Sequence, residues 1–225
     1  YIKFLLKIFI KIFFYKFADG IICNSNSSRY YLQKFLDKKS IITIYNPINS
    51  DKKFKVNYNR ENLLTIGRLE NQKNIAGIIL ALKNVKIKFP RIKLIIIGSG
   101  SKRKFLEDLV KRNNLKRNVE FKGYINPKKY LMNSKILILN SFFEGMPNVL
   151  LEGLLYKIPI ISTNCESGPS EILKNGKYGS LVQVNNIKKL SKKIIYTLNN
   201  YNAAIKKSEE GYKTLDRFNK IKQLK

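Results

Sequence analysis

Short apolar runs alternate with amphipathic stretches along most of the chain from residue 62 onward. Each apolar run precedes a glycine or a polar turn, which is typical of strands buried on both faces of a sheet. The predicted strands are Leu63–Gly67, Lys93–Gly98, Asn118–Gly123, Lys135–Leu139, Ile158–Thr163 and Ser180–Val184. The stretches between and after them predict helices at Ile75–Phe89, Lys102–Asn113, a short one from Pro127, Asn148–Tyr156, Ile187–Leu198 and Ala203–Leu215.

The alternation of strand and helix predicts the fold class. Strands joined by crossover helices form parallel pairs with right-handed connections, so we expect an α/β fold with a doubly wound parallel sheet. Ligands bind such sheets in the crevice at the carboxyl ends of the strands. The loops that follow the predicted strands are therefore the first candidates for functional residues.

The first 50 residues predict a smaller α/β segment. It comprises a short buried strand, a helix that Ser27 or Ser28 begins, and a second strand: Asp19–Ser25, Arg29–Leu36 and Ile41–Tyr45. A turn at Asn46-Pro47 follows, and the polar residues 51–61 predict a linker.

Lysines in the first 17 residues fall near one face of a helix whose other faces are apolar and aromatic: Lys3, Lys7, Lys11 and Lys16. This stretch is too short and too charged to span a membrane, and it lacks the cleavage site of a signal peptide. Two interpretations stay open. It is a basic helix lying on a lipid surface, or it packs against the core of an incomplete domain.

The net charge of the chain is +29, from 44 basic and 15 acidic residues. Such a charge attracts polyanions, including anionic lipids, nucleoside diphosphates and nucleic acid. It also fits a biased composition, because lysine, isoleucine and asparagine are abundant throughout. The basic residues are spread over the whole chain without an aromatic stacking strip, so we expect no nucleic-acid partner.

Several kinds of chemistry are excluded by what the sequence lacks. It has no histidine, which excludes histidine-based catalysis by this chain. It has no Asp-x-Asp pair, so we predict no metal and no cofactor. Its two cysteines, Cys23 and Cys165, predict no disulfide framework and fit a reducing compartment.

The stretch from Asn140 to Glu171 carries the most specific chemistry. Pro147 suits the first position of a helix, and the backbone N–H groups of Asn148 and Val149 then lie unpaired in its first turn, where they could hold a phosphate. Glu152 follows about 6 to 8 Å further along this helix. That distance is roughly the reach from the phosphates of a nucleotide to its ribose, whose hydroxyls can donate hydrogen bonds to a carboxylate.

The loop Gly67–Asn74 follows the first strand of the predicted sheet and carries two cations. The planar guanidinium of Arg68 can bind two phosphate oxygens, and Lys73 adds a compact point charge. Gly98-Ser99-Gly100 is a weaker signal, and a tight connection explains it. Ser167–Glu171 predicts a second glycine turn before a short helix, and the helix dipole favours a glutamate such as Glu171 in the first turn.

These motifs together resemble the family 4 retaining glycosyltransferases, which have the two-domain GT-B fold. The resemblance rests on Glu144-x7-Glu152 within E-G-M-P-N-V-L-L-E, then on P-I-I-S-T-N-C, S-G-P-S-E-I-L and G-R-L-x-x-Q-K-N. It covers roughly residues 18–200. It implies that Glu144 is catalytic and contacts the sugar, and that Glu152 holds the ribose. The other donor-binding residues that it implies are Gly67, Arg68, Lys73, Gly123, Tyr124, Met146, Pro147, Asn148 and Val149, with Gly123 and Tyr124 bordering the base.

The resemblance also implies a domain organisation. Residues 1–50 would be the tail of a truncated N-terminal acceptor-binding domain, 51–61 a linker, 62–200 a Rossmann-like nucleotide-sugar-binding domain and 201–225 a C-terminal helix. The implied reaction transfers a hexose or N-acetylated hexose from a nucleoside-diphosphate sugar, with UDP favoured, to a glycan or lipid-linked acceptor in polysaccharide biosynthesis. The expected location is the cytoplasm, with peripheral contact at the inner face of the membrane.

Two other functions are compatible with part of the sequence. The chain departs from the family pattern, because the Gly-rich loop and the usual histidine of the N-terminal half are missing. A non-catalytic or split-enzyme half would bind only the donor or an anionic membrane. A glycoside hydrolase would use Glu144 and Glu152 as a carboxylate pair, but the phosphate-binding loops would then be unexplained.

Overall fold

Strands and helices alternate along the chain in a computed structural model that describes residues 10, 12–36, 40–48 and 60–219. The strands are β1 (Gly20–Cys23), β2 (Ser40–Thr43), β3 (Asn62–Ile66), β4 (Leu94–Ile97), β5 (Val119–Gly123), β6 (Ser134–Leu139), β7 (Ile160–Thr163) and β8 (Ser180–Val182). The helices are α1 (Asn26–Gln33), α2 (Ile75–Lys88), α3 (Arg103–Arg112), α4 (Lys128–Asn133), α5 (Asn148–Leu155), α6 (Pro169–Ile172), α7 (Ile187–Asn199) and α8 (Tyr201–Lys213), with 3₁₀ turns at Asn71–Lys73 and Leu215–Phe218.

A six-stranded parallel sheet organises residues 60–219. Its strand order is β5-β4-β3-β6-β7-β8, which is 3-2-1-4-5-6 when its own strands are counted along the chain, the order of the doubly wound dinucleotide-binding folds. The predicted α/β class and doubly wound parallel sheet are confirmed. The order changes direction between β3 and β6, which pair in parallel with Leu63 opposite Ile136.

Helices cover both faces of this sheet, and two apolar cores result. Leu63 and Leu64 are adjacent on β3 and both fully buried, but they belong to opposite cores. Successive side chains of a strand point to opposite faces, which explains this division. Residues of α2, α3 and α7 complete one core, and residues of α5 together with the turn Leu215–Phe218 complete the other.

Helix α1 starts earlier than predicted, and Pro147 has a different role at the start of α5 from the predicted one. Helix α1 begins at Asn26 because the hydroxyl of Ser25, and not that of Ser27 or Ser28, caps it by accepting from the Ser28 amide. Pro147 is the N-cap of α5, with an extended backbone, and not its first helical residue. Because proline is also compatible with an extended backbone just before a helix, the sequence alone did not separate these two positions.

The N-terminal segment forms a small parallel sheet of β1 and β2. The prediction that the first of these strands is buried was wrong for most of it. Ile22 is 67% exposed and Ile42 is 47% exposed, whereas Cys23 and Ile41 are buried against α1. Alternate residues of the two strands therefore lie on a face that nothing within the described ranges covers.

Some predictions concern residues outside the described ranges. They are the helical face of Lys3, Lys7 and Lys11 and most of the linker 51–61. Within residues 10, 12–36, 40–48 and 60–219, no helix combines the length and the hydrophobicity needed to cross a bilayer.

Candidate functional site

The loops after β3 and β6 meet at the point where the strand order reverses. The connection from β3 passes over one face of the sheet to β4, and the connection from β6 passes over the other face to β7. The two loops, residues 67–74 and 140–147, therefore lie on either side of the switch point at the carboxyl ends of the strands, which is where proteins of this architecture usually bind ligands in a crevice.

Hydrogen bonds join these two loops into one unit. The amide of Phe142 donates to the carbonyl oxygen of Gln72 at 2.9 Å, and the Gln72 side chain donates to the carbonyl oxygen of Phe143 at 2.9 Å. Nearby, the side-chain amide of Asn140 donates to the carbonyl oxygen of Asn74 at 3.1 Å. Because β3 and β6 are neighbours, residues about 70 positions apart in sequence are held in a fixed arrangement.

A largely buried ion pair lies between the loops. The Nζ atom of Lys73 is 2.6 Å from Oε1 of Glu144, and the two side chains are 16% and 7% exposed. The hydroxyl of Ser141 donates to the same carboxylate oxygen at 2.5 Å. A Cβ atom added at Gly67 would lie 3.3 Å from the aliphatic stem of Lys73. Gly67 thus makes room for Lys73, whose ammonium group Glu144 then fixes in place.

Arg68 lies at the outer edge of the same crevice and is exposed to solvent. Its Nη2 atom donates to Oε1 of Gln72 at 3.2 Å, and its guanidinium has no other hydrogen bond to the part of the chain that the structure describes. Gln72 therefore orients the fork towards the loop of Glu144 and leaves most of its donors open to a ligand.

The first turn of α5 contributes open N–H groups. No side chain caps this helix, and the amides of Asn148 and Val149 have no acceptor among the described residues. The positive end of the helix macrodipole adds to these donors. The side chain of Met146 is buried in the core, so Met146 can offer a ligand only its backbone.

Glu152 lies half-buried one turn into α5, and its carboxylate has no ion-pair or hydrogen-bond partner among the residues described. Burial raises the pKa of its carboxyl group, because removal from water disfavours the charged form. Burial, followed by the charge of Glu152, also raises the pKa of Tyr156. An unpaired carboxylate in this position is a place where hydroxyl donors from a ligand would stabilise the charge.

Two of the predicted site residues lie apart from the others. Gly123 is the last residue of β5 and Tyr124 follows it. Strand β5 is two strands from β3 and so roughly 10 Å away. The side chain of Tyr124 is 91% exposed. Only an extended ligand lying across the ends of β3, β4 and β5 would contact both these residues and Arg68.

The loop after β7 closes over the Glu144 loop. The hydroxyl of Ser167 donates to the carbonyl oxygen of Glu144 at 2.5 Å. Gly168 has φ +66°, and a Cβ atom there would lie 2.2 Å from the carbonyl oxygen of Gly145. Only glycine permits this approach, which explains the glycine turn in the sequence.

Glu171 connects this loop to the N-terminal segment. Its carboxylate accepts from the backbone amide of Asn26 at 3.1 Å and from the hydroxyl of Tyr45 at 2.5 Å. Burial, and then the hydrogen bond to Glu171, raises the pKa of Tyr45. Nearby, the side chain of Asn46 donates to the Oδ1 atom of Asn148 at 2.7 Å. The N-terminal segment is therefore attached at the mouth of the crevice.

We expect Glu171→Ala to loosen this attachment. The substitution removes the acceptor of two hydrogen bonds, each worth about 1.5 to 3 kcal/mol for a charged group. Amide hydrogen exchange in residues 20–36 and 40–45 should accelerate by about tenfold or more. Glu166→Ala, at an exposed position in the loop before α6, should leave the exchange unchanged. Equal protection in both variants would show that Glu171 does not hold the segment.

Sequence reasoning missed the residues that position the predicted ones. Gln72 lies in the string G-R-L-x-x-Q-K-N and Ser141 in the stretch from Asn140 to Glu171. No local pattern showed that Ser141 would bind Glu144 or that Gln72 would bind Phe143. Asn26, Tyr45 and Asn46 lie in the N-terminal segment, about 100 or more residues from their partners. Polar residues just after a buried strand or in a turn were the only available signal.

The fold and the crevice define an α/β protein of the doubly wound class with a cation-lined site at its switch point. The family model described as "Glycosyl transferases group 1" matches residues 48–214, which is more than half of the chain. The chain therefore belongs to the group 1 glycosyl transferases.

Relatives of this chain include other glycosyltransferases. An uncharacterized glycosyltransferase of Methanocaldococcus jannaschii is 34% identical over 177 residues, covering 72% of this chain and 43% of the relative. The GalNAc-alpha-(1->4)-GalNAc-alpha-(1->3)-diNAcBac-PP-undecaprenol alpha-1,4-N-acetyl-D-galactosaminyltransferase of Campylobacter jejuni is 33% identical over 196 residues, covering 84% and 53%. The chain thus spans about half the length of these relatives.

Solved structures share the fold. A mutant of S. aureus TarM, in complex with Fondaparinux, alpha-GlcNAc-glycerol and UDP, superposes with a TM-score of 0.85 at 25% identity, covering 92% of this chain and 42% of TarM. Sucrose-phosphate synthase from Thermosynechococcus elongatus superposes with a TM-score of 0.85 at 20% identity, covering 97% and 59%. The second likeness concerns the fold alone.

Proposed function

We propose that this chain is the donor-binding part of a retaining family 4 glycosyltransferase with the GT-B fold. Residues 1–50 would belong to its N-terminal acceptor-binding domain. The reaction would transfer a hexose or N-acetylated hexose from a nucleoside-diphosphate sugar to a glycan or lipid-linked acceptor. The observation that carries this proposal is the contact of Lys73 with Glu144 at the switch point, beside the open N–H groups of α5.

The crevice has the charges that a leaving diphosphate requires. During transfer the bond between the anomeric carbon and the phosphate oxygen breaks, and a bond to the acceptor oxygen forms. The released nucleoside diphosphate gains negative charge and takes up the acceptor's proton. Arg68, Lys73 and the amides of Asn148 and Val149 would stabilise that charge, which is the largest single contribution in many enzymes. Lys73 can bind a phosphate while it contacts Glu144, because an ammonium group has three donors.

The two glutamates would bind different parts of the donor, one the sugar and the other the ribose. Glu144, between the loops, would accept from sugar hydroxyls and stabilise positive charge developing at the anomeric carbon. Glu152, further along α5, would accept from the ribose hydroxyls and so gain the partners that it lacks among the described residues. Gly123 and Tyr124 would contact the base at the far end of the site.

The relatives support the substrate classes of this proposal. The Campylobacter jejuni relative is named for an acceptor linked through PP-undecaprenol and for transfer of N-acetyl-D-galactosamine. A poly(ribitol-phosphate) alpha-N-acetylglucosaminyltransferase of Staphylococcus aureus is 29% identical over 187 residues, and the TarM complex contains UDP. UDP is therefore the favoured nucleotide. A cytoplasmic location with peripheral membrane contact, in polysaccharide biosynthesis, would fit a lipid-linked acceptor.

Calorimetry with UDP, GDP and ADP tests the proposal on the chain itself. We expect UDP to bind more tightly than GDP or ADP. Glu152→Gln should lower the affinity for UDP by about tenfold or more, since a hydrogen bond to a charged group is worth about 1.5 to 3 kcal/mol. Burial raises the pKa of Glu152, and ribose hydroxyls favour its ionised form. UDP affinity should therefore fall as the pH drops through that raised pKa, and Glu152→Gln should remove this dependence.

The same substitution should affect stability in the opposite direction. The folded protein holds the Glu152 proton more tightly than the unfolded chain does, so this residue costs stability once the pH rises through its raised pKa. Glu152→Gln should therefore raise the melting temperature at neutral pH. Glu166→Gln, at an exposed position, serves as the control for both measurements. Absence of UDP, GDP and ADP binding, or equal UDP affinity in wild type and Glu152→Gln, would refute the proposal.

A further inference from the structure

A basic surface lies at the end of the sheet opposite the crevice, where the strands begin. Two adjoining cavities of about 730 and 750 Å³ share Pro90, Arg91 and Lys93. Ten of the twenty residues that line them are lysine or arginine, and two are glutamate. The composition of the whole chain, 44 basic residues in 225, would place only about four there. Basic residues are thus concentrated at this end beyond the chain's average.

Part of this charge has a structural explanation. Lys86 and Lys88 lie in the last turn of α2, and Lys111 lies in the last turn of α3, where cations stabilise the negative end of a helix. Lys93 and Lys122 both pair with Glu120, at 2.9 and 2.8 Å. These residues need no ligand to account for them.

Of the other five, Arg60 is buried and donates to the carbonyl oxygens of Tyr156 and Lys157, and Lys135 lies over the ring of Tyr201. The three that are left are exposed: Arg91, Lys116 and Arg117. They lie in the loops α2–β4 and α3–β5, beyond the last helical turn, so the helix dipole does not explain them. None has an ion pair or hydrogen bond with the residues that the structure describes. The cavity that all three line has no acidic residue among its described lining residues.

A buried amide fixes the two loops to each other. Asn118 is 4% exposed, and its side chain donates to the carbonyl oxygens of Pro90 at 3.0 Å and Ile92 at 2.8 Å. The carbonyl oxygen of Asn118 accepts from the amide of Leu94 at 2.7 Å. Arg91 lies between the two bonded carbonyls, and Arg117 directly precedes Asn118. The backbones that carry both guanidinium groups are therefore rigidly spaced before any ligand arrives.

We propose that Arg91, Lys116 and Arg117 form a binding site for phosphate groups, separate from the donor crevice. Guanidinium forks bind phosphate oxygens in pairs, and a rigid spacing lowers the entropy cost of binding. The site lies at the opposite ends of β4 and β5, roughly 15 Å from the crevice for strands of this length. Occupation of this site does not depend on the nucleotide. The phosphates come from a soluble polyphosphate or from anionic lipid headgroups.

Tripolyphosphate binding, measured by calorimetry with excess UDP present, tests the soluble source. Arg91→Ala/Arg117→Ala should weaken it by about tenfold or more, because two charged contacts are lost. Lys192→Ala/Lys206→Ala, at exposed positions on α7 and α8, removes the same charge elsewhere and should leave binding unchanged. Thermal unfolding verifies that both variants are folded. Because this experiment measures the binding of tripolyphosphate and not of UDP, its outcome tests the second site even if the nucleotide proposal fails.

Sedimentation with vesicles tests the lipid source. Vesicles of phosphatidylcholine with phosphatidylglycerol should retain wild type and release Arg91→Ala/Arg117→Ala if lipid headgroups supply the phosphates, while pure phosphatidylcholine retains neither. Loss of tripolyphosphate binding without a vesicle difference supports the soluble source. Equal losses in the two double variants, displacement of tripolyphosphate by UDP, or no binding of either probe by wild type would overturn the proposal.

Discussion

Lys73→Met should cost this protein both stability and affinity for UDP, and adding Glu144→Gln should restore only the stability. Lys73 is the ionic partner of Glu144, whose side chain is only 7% exposed. Without Lys73, the carboxylate retains the hydroxyl of Ser141 but no cation. An uncompensated charge at this burial costs about 2 to 4 kcal/mol. Gln in place of Glu144 removes the charge and keeps the shape, so the free energy of unfolding of the double variant should be close to that of wild type.

The affinity for UDP should respond differently, because it depends on the cation itself. Both Lys73→Met and the double variant lack the ammonium group that we place on the diphosphate, and both should bind UDP about tenfold or more weakly. Urea unfolding gives the stability, and calorimetry gives the affinity. Full recovery of UDP binding in the double variant would show that Lys73 acts only by neutralising Glu144.

A matched control exists at the other end of the sheet. Lys93 pairs with Glu120 at 2.9 Å, with side chains 49% and 35% exposed. Lys93→Met should change the free energy of unfolding by less than about 1 kcal/mol, as exposed pairs do. If Lys73→Met were no more destabilising than Lys93→Met, the pair in the crevice would not be the buried contact described above.

Arg68→Ala should cause a large loss of UDP affinity with almost no loss of stability. In this it should differ from Lys73→Met, which we expect to lose both. The guanidinium is exposed, and its one hydrogen bond among the described residues goes to Gln72 at 3.2 Å. Its removal should change the free energy of unfolding by no more than about 0.5 kcal/mol. The loss of a bidentate, charge-assisted contact to the diphosphate should lower the affinity for UDP by about 10- to 100-fold.

Two further variants decide whether the geometry of Arg68 matters. Arg68→Lys keeps the charge but not the planar fork, so it should recover only part of the affinity. Arg112→Ala removes an exposed guanidinium at the end of α3 and should leave UDP binding unchanged. Full recovery with lysine would reduce Arg68 to a general electrostatic attraction. An equal loss in Arg112→Ala would mean that net charge, and not the site, attracts the nucleotide.

The sheet could be predicted from the sequence because its strands are buried on both faces. Runs such as Lys93–Gly98 are apolar at nearly every position, and the helices between them have clear periodicity, so the parallel class follows from local pattern. Strand β1 has no such environment. It pairs with a single strand, β2, within the described ranges. Ile22 is exposed and Cys23 is buried, but the sequence of this strand did not distinguish that alternation from a run buried on both faces.

The candidate residues could be named because each follows a strand in a recognisable string. Their relative positions could not be predicted in the same way. Lys73 and Glu144 are 71 residues apart, and nothing in either segment specifies a partner. Their contact exists because β3 and β6 are neighbours, and that order follows from how all the crossovers pack. The same reason hid the bonds of Glu171 to Asn26 and Tyr45.

By itself, then, the sequence determined which segments are strands, which loops carry cations and carboxylates, and which family the motifs resemble. These are local properties, written in the periodicity and order of neighbouring residues. Tertiary structure alone decided that Lys73 neutralises Glu144, that Glu152 is left half-buried without a partner in the described chain, and that Arg91 and Arg117 share one surface. Those facts depend on distances between segments remote in sequence, and only the packing of the whole sheet sets such distances.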